Sequence, residues 1–304
     1  TAPPGWVDPA KVRRGQRVFL ERCSTFIVAL TGALLNGFVI GRFSEVLVLS
    51  GYTKDPWTTF LRFKHTSNAI YSWMSTDLLD PDSIGSRNVV RVRCQHAMAR
   101  RRAKSRFEAE REAGLPLSQF DMSMVLMAFS SLVLDMCAKE GGDLPSETEQ
   151  EDYIHTWRFL GHRLGILDSY NICDSQERCM EFFNQFIVLL PLFTRSVRDS
   201  STELVSSCIK GFGTYTPASI ALYQSLMYLT ERDVFDVTWA QVEKPPDWYL
   251  KRVRVGLKRK GPFSCIKHLK HALMRNVLHY QTHYPRFSLF YSTVWSWIPQ
   301  FFHL

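Results

Sequence analysis

The sequence predicts an all-α protein of about ten helices, and three observations carry that expectation. Apolar residues recur at spacings of three and four in "VDPAKVRRGQRVFLERC", "DPWTTFLRFKHTSNAIYSWM", "DMSMVLMAFSSLVLDMCAK" and "SETEQEDYIHTWRFLGHRLGI". Helix-start chemistry sits at the head of several of these segments. No alternation of strands with helices, no glycine-rich phosphate loop and no Gly-x-Ser-x-Gly elbow appears anywhere along the chain.

Taken in order, Asp8-Pro9 and Asp55-Pro56 pair an N-capping carboxylate with a proline suited to the first helical position. Between Arg22 and Arg42 run 19 residues without a charge, long enough to span a bilayer. Three glycines with Ser24, Thr25, Thr31 and Asn36 dilute that run, so a buried helix of a large α-domain is the expectation. Gly114 with Pro116 marks a turn, Gly141-Gly142 ends a helix, and "SETE" from Ser146 has the capping-box form. The aromatic C-terminal "FSLFYSTVWSWIPQFF" suits docking on the domain or lying at a membrane interface. With no linker rich in Pro, Gly or Ser and no fixed repeat, residues 10–300 read as a single domain.

A chain of 304 residues, 45% hydrophobic, buries a core without disulfide staples. Its seven cysteines are odd in number, scattered and without a CxxC pair, so they suggest neither a disulfide framework nor a zinc ribbon. They point to a reducing compartment; a secreted form would leave one thiol unpaired. A proline-containing, mixed-charge stretch precedes the uncharged run, so a cleavable signal peptide is not expected, and no Asn-x-Ser/Thr sequon is present. The expected location is intracellular, cytoplasmic or membrane-associated, with the endoplasmic reticulum face as one site.

The net charge of +8 concentrates in Arg91–Arg106 and in "KRVRVGLKRK" at 251–260. Such runs are most often solvated faces. A nucleic-acid stripe would be exposed throughout, whereas Val89, Val90, Val92, Met98 and Phe107 interleave the first run and give it a buried side. No nucleic-acid partner is therefore expected.

Within "RVRCQHAMARRR", Arg93, His96 and Arg100 fall at i, i+3 and i+7 and share one helical face, with Arg91 and Arg101 off it. A neutral imidazole between two guanidinium forks suits haem, since imidazole ligates iron and arginine binds carboxylates. A solvated basic helix that happens to hold a histidine has the same spacing, and Arg101 and Arg102 read as solvated charge. In "LRFKHTSNAIYSW", Arg62, His65 and Thr66 fall at i, i+3 and i+4 in an otherwise apolar segment. A buried trio of this kind needs partners. They form either an internal ion pair with Glu45, Asp121 or Asp135, or a polar pocket above a cofactor where Arg62 and Thr66 hold an oxygen-derived ligand.

Four blocks in order, "GRFSEVLVLSGYTKDPWTTFLRFKHTSNAIY", "RVRCQHAMARRR", "GLPLSQFDMSMVLMAFSSLVLD" and "YIHTWRFLGHRLGI", resemble the catalytic domain shared by latex-clearing rubber oxygenases and the prenyl-chain-cleaving oxygenase of mycophenolic acid biosynthesis. The resemblance covers roughly residues 40–168. It implies a globin-like helical fold around one haem b. The family's Arg-x-x-His-x-x-x-Arg motif matches Arg93, His96 and Arg100, which makes His96 the implied proximal iron ligand. Its distal Arg-x-x-Lys-Thr motif aligns with Arg62 and Thr66, but His65 replaces the lysine. Imidazole is largely neutral at pH 7, so His65 either ligates the same iron or donates a hydrogen bond to bound oxygen. A glutamate upstream of the distal motif acts as a base in the family, and Glu45 is the nearest candidate. Trp157 reads as core packing and His162 as a satisfied buried or rim histidine.

His268, His271, His279 and His283 offer a rival site, since an i, i+4 histidine pair binds zinc. No glutamate lies between His279 and His283, and an amphipathic surface helix explains them. Arg275 and Arg286 are further candidates for a propionate-side cation. The resemblance therefore implies an oxygenase that uses haem b and O2 to cleave a C=C bond of a small apolar unsaturated, prenyl- or terpenoid-like substrate, with peripheral membrane contact as a further expectation. The rival class is a non-catalytic bis-histidine haem protein that senses gas or redox state.

Overall fold

A computed structural model describes residues 3–194 apart from 39, 52, 110–113 and 140–143, together with 204 and 207. The expectations for "KRVRVGLKRK", His268 to His283, Arg275, Arg286, Gly141-Gly142 and the aromatic C-terminal segment lie outside the described residues.

The described residues form α-helices and one 3-10 turn, with no strand. In chain order they are α1 (Pro9–Glu21), α2 (Cys23–Gly37), α3 (Gly41–Leu49), α4 (Pro56–Ser75), α5 (Ile84–Ala109), α6 (Gln119–Phe129), α7 (Ser131–Lys139), α8 (Glu147–Leu164), the turn Asp168–Tyr170 and α9 (Gln176–Thr194). The start signals act as their chemistry predicts. Asp8 accepts from the Ala10 and Lys11 amides, and reciprocal capping boxes join Asp55 to Thr58 and Ser146 to Glu149. Ser118 and Asp121 form a third such box at α6. Gly165 closes α8 at φ +100°, a left-handed geometry that favours glycine.

The uncharged run becomes α2, with Phe26, Ile27, Ala29, Leu30 and Ala33 buried in the core. Among the described residues one segment, Gln119–Ala138, is long and apolar enough to cross a membrane, and most of it is buried inside the protein. That segment, one periodic pattern in sequence, breaks at Ser130 (φ −108°, ψ −92°) into α6 and α7. The Ser130 hydroxyl donates to the Leu126 carbonyl at 2.7 Å, the local competition with the helical ladder that serine brings.

Helices α1 and α8 pack with backbones in close approach at Gly15, where a Cβ would meet the Asp152 carbonyl oxygen. The buried Asp152 carboxylate pairs with Arg14 at 2.6 Å across the same contact. Trp157 of α8 is fully buried and its ring meets those of Trp73, Phe129 and Tyr153, so the core-packing expectation holds. A second fastening was not evident in the sequence. Trp6 donates to Asp168 at 3.0 Å, stands edge-on to His155 and His162, and lies under the Arg158 guanidinium. His162 is thereby a rim histidine, satisfied by Asp168 at 3.2 Å.

Helices α4 and α5 form an antiparallel pair whose register is pinned near the turn between them. Asn88 donates to Ser72 at 2.8 Å, the Gly85 amide donates to the Thr76 hydroxyl at 3.0 Å, and Ser86 donates to the Leu78 carbonyl at 2.9 Å. Gly85 has no room for a side chain, because a Cβ there would meet Thr76 and the Ser72 carbonyl oxygen. From α1, the Gln16 amide donates to both the Trp73 and Thr76 carbonyls at 2.6 Å, satisfying the open end of α4.

Candidate active site

The α4–α5 register decides where the two sequence-predicted histidines stand. His65 lies seven residues before Ser72, and His96 eight residues after Asn88. At about 1.5 Å per residue the two positions lie roughly 10–12 Å along their own helices from the pin. Both line one cavity of about 1140 Å³, together with Arg62 and Thr66. Its apolar wall is built by Trp73, Met122, Leu126, Phe129, Leu132 and Trp157. The volume reaches the upper end of small-molecule sites, roughly 300–1,000 Å³.

The two histidines differ in environment. His96 is partly buried and its Nδ1 is sealed from solvent without a hydrogen-bond partner among the described residues. Burial, with the nearby Arg62 and Arg100 guanidiniums adding repulsion, lowers its pKa to about 4. It is a neutral imidazole at physiological pH. His65 is exposed at the cavity's flank, not buried with its neighbours as the apolar segment suggested. Desolvation lowers its pKa too, helped by Lys64, Arg62 and Arg91. Lys64, next along the helix, is itself brought down to about 8 by burial. Arg62 and Thr66 are half-buried, and the Thr66 hydroxyl donates back to the Arg62 carbonyl at 3.1 Å.

The arginines flanking His96 go elsewhere. Arg93 is exposed, donates to the Arg163 carbonyl at 3.3 Å at the end of α8, and lies against Gly165. Arg100 donates twice to the Leu117 carbonyl, at 3.2 and 2.6 Å, and approaches the Met122 sulfur at 3.7 Å. It thereby steadies a residue held at φ +53°. Neither lines the cavity, whereas Arg91 and Arg102, read from sequence as off-face or solvated, do. The cause is rotational. At roughly 100° per residue, the cavity-facing stripe of α5 passes through Val92, Gln95 and Ala99, with His96 on its inner border and Arg93 and Arg100 roughly 40–60° beyond it. A shared helical face is therefore not a shared partner. Helices α6 and α8 occupy the direction in which those two arginines point.

Glu45 is buried in α3 and is not among the cavity-lining residues, although Val46 and Leu47 beside it are. Of the acids offered as partners for the α4 trio, Asp121 is taken by Arg42 at 2.9 Å, and Arg42 also donates to the Leu115 carbonyl. That buried pair is part of the cavity wall and escaped the sequence reading, because 79 residues separate its members. Among the described residues no group of three or more His, Cys, Asp or Glu is placed to hold a metal ion.

Two packed helices of an all-α fold thus each contribute a histidine to the lining of one large, mostly apolar cavity. Over residues 16–257 the chain matches the family described as ER-bound oxygenase mpaB/B'/Rubber oxygenase, catalytic domain, and it belongs to that family. It is accordingly an oxygenase, an oxidoreductase acting with O2 on a small apolar substrate. Among solved structures, latex clearing protein LCP in the closed state is similar in fold, at 17% identity and a TM-score of 0.60, covering 90% of this chain and 76% of that one. No curated protein matches the chain in sequence. The family and the helical fold expected from the four sequence blocks are thus both found.

Proposed function

We propose that this oxygenase uses haem b to cleave a C=C bond of a prenyl- or terpenoid-like chain. The observation that carries the reading is His96, a neutral imidazole with a sealed, unpartnered ring nitrogen, in a cavity large enough for a macrocycle and a chain beside it. Such an orphaned polar atom costs free energy unless a ligand repays it. Haem b, when bound, supplies O2 activation. His96 would hold the iron as its proximal ligand, kept unprotonated by burial. Arg62 and Thr66, half-buried in the same cavity, would orient oxygen, with Arg62 as donor; Thr66, its proton already given to the Arg62 carbonyl, has only lone pairs to offer. The apolar wall would exclude water and take the unsaturated chain. Glu45 fits a base role poorly, since it does not line the cavity.

His65 favours a second reading. Because it lines the same cavity as His96, it would close a bis-histidine site, which suits a non-catalytic redox or gas sensor. Absorption spectra of the haemin-loaded protein, oxidised and reduced, with and without CO, separate the two. An oxygenase shows a Soret band that shifts with CO and yields carbonyl products from a polyprenyl substrate under O2. Sharp six-coordinate bands indifferent to CO favour the sensor, and a protein that takes up no haemin overturns both. We place the protein at the endoplasmic reticulum face, in line with the family's description.

A further inference from the structure

The cavity opens along α5. Six of its lining residues on that helix are also exposed: Ile84, Arg87, Arg91, Gln95, Met98 and Arg102. They follow one another at intervals of three, four, four, three and four, so they form a single stripe along the helix, about 27 Å long at about 1.5 Å per residue. Three of the six are arginines, and no acidic residue occurs between Ile84 and Phe107. Met98, expected from the sequence on the buried side of this helix, is 53% exposed, as is Val90 at 52% off the stripe, and Ile84 is 41% exposed. Large apolar side chains interleaved with arginine on a solvent-facing helix combine hydrophobic insertion with attraction to negative charge.

We propose that this stripe docks the protein on a bilayer surface bearing anionic headgroups, with the cavity mouth against the membrane. Charge complementarity selects the headgroups, and Ile84 and Met98 enter the boundary beneath them. The cavity behind the mouth is walled by apolar side chains, and a ligand suited to it partitions into acyl chains. It would then pass from bilayer to cavity without crossing water. A nucleic acid would satisfy the arginines but has no use for exposed Met98 and Ile84 or for an apolar chamber behind them. The purpose assigned to docking rests on the apolar substrate proposed above; docking itself does not depend on haem.

Flotation of the full chain with vesicles tests this. Binding is expected to vesicles of phosphatidylcholine mixed with phosphatidylserine, and not to phosphatidylcholine alone, with loss at high salt. Replacing Arg91 and Arg102 together by glutamine weakens it about thirtyfold, at about fivefold per arginine. Arg91→Lys with Arg102→Lys retains binding, and Met98→Ser weakens it without changing the salt dependence. Equal binding to both vesicle types, an unchanged Arg91→Gln/Arg102→Gln variant, or displacement by duplex DNA at matching charge overturns the proposal. Helical circular dichroism accompanies each variant, and haemin uptake is followed in parallel. A colourless protein that still binds phosphatidylserine through the stripe overturns the haem reading alone; a haem-loaded protein indifferent to phosphatidylserine overturns this one.

Discussion

Helices α4 and α5 each carry arginine and histidine three residues apart, yet the structure uses the two patterns differently. On α4, Arg62, His65 and Thr66 stay together and line the cavity. On α5 only His96 does so, while Arg93 and Arg100 anchor the end of α8 and the turn before α6. Spacing reveals which residues share a face; the packing of neighbouring helices decides what that face meets. Three helices crowd the inner side of α5, whereas α4 turns the centre of its polar face into open volume.

The strongest way to break this contrast is His96→Ala, which should abolish haemin retention, at least tenfold in affinity, read from the Soret band. In the haem-free protein His96→Leu should instead be neutral or stabilising, because it removes an unpaired buried nitrogen and leaves the cavity wall apolar. The titration of His96 sharpens the same point. Its folded pKa of about 4 lies below the unfolded value of about 6.5, so the unfolded chain binds the extra proton first. Stability of the haem-free protein therefore falls as pH drops from about 6.5 to about 4, by about 3 kcal/mol in all, and His96→Leu should flatten that slope in urea denaturation.

Smaller effects separate the two arginines. Arg100→Ala removes both donors to the Leu117 carbonyl and should cost about 2 kcal/mol, the scale of a charged hydrogen bond. Arg93→Ala loses one long, exposed contact and should stay within about 0.5 kcal/mol. Equal losses, or a larger one at Arg93, would undo the distinction between them. On α4, His65→Lys should leave haem content unchanged and alter only the coordination spectrum; loss of haem there would make the exposed histidine the main anchor.

Much of the architecture was legible from local chemistry. Asp8, Asp55 and Ser146 announced their helices because capping is satisfied within four residues. His65 and His96 were legible as cavity residues only through the order of family blocks, since spacing alone favoured a solvated helix for His96 and left an internal ion pair open for the trio with His65. What stayed hidden is non-local. The Arg42–Asp121 wall, the strap at Trp6 and the approach of the Ser130 hydroxyl to the Cys173 and Cys179 sulfurs all join residues whose contact no window of sequence exposes. The direction of Arg93 and Arg100 was hidden for the same reason, and with it the mouth role of Arg91 and Arg102.

The triple fastening near the α4–α5 turn makes length, rather than identity, the most sensitive property of this hairpin. Gln16, Thr76 and Asn88 hold the lower end of α4 fixed against α1 and α5. One residue inserted between Thr66 and Ser72 would swing everything before it by about 100°, carrying His65 and Arg62 off the chamber while every individual side chain survived. The same insertion ahead of Asp55 would leave the pair in place. A map of tolerated insertions along the chain should therefore show a sharp forbidden band within α4 and a permissive edge just before its cap.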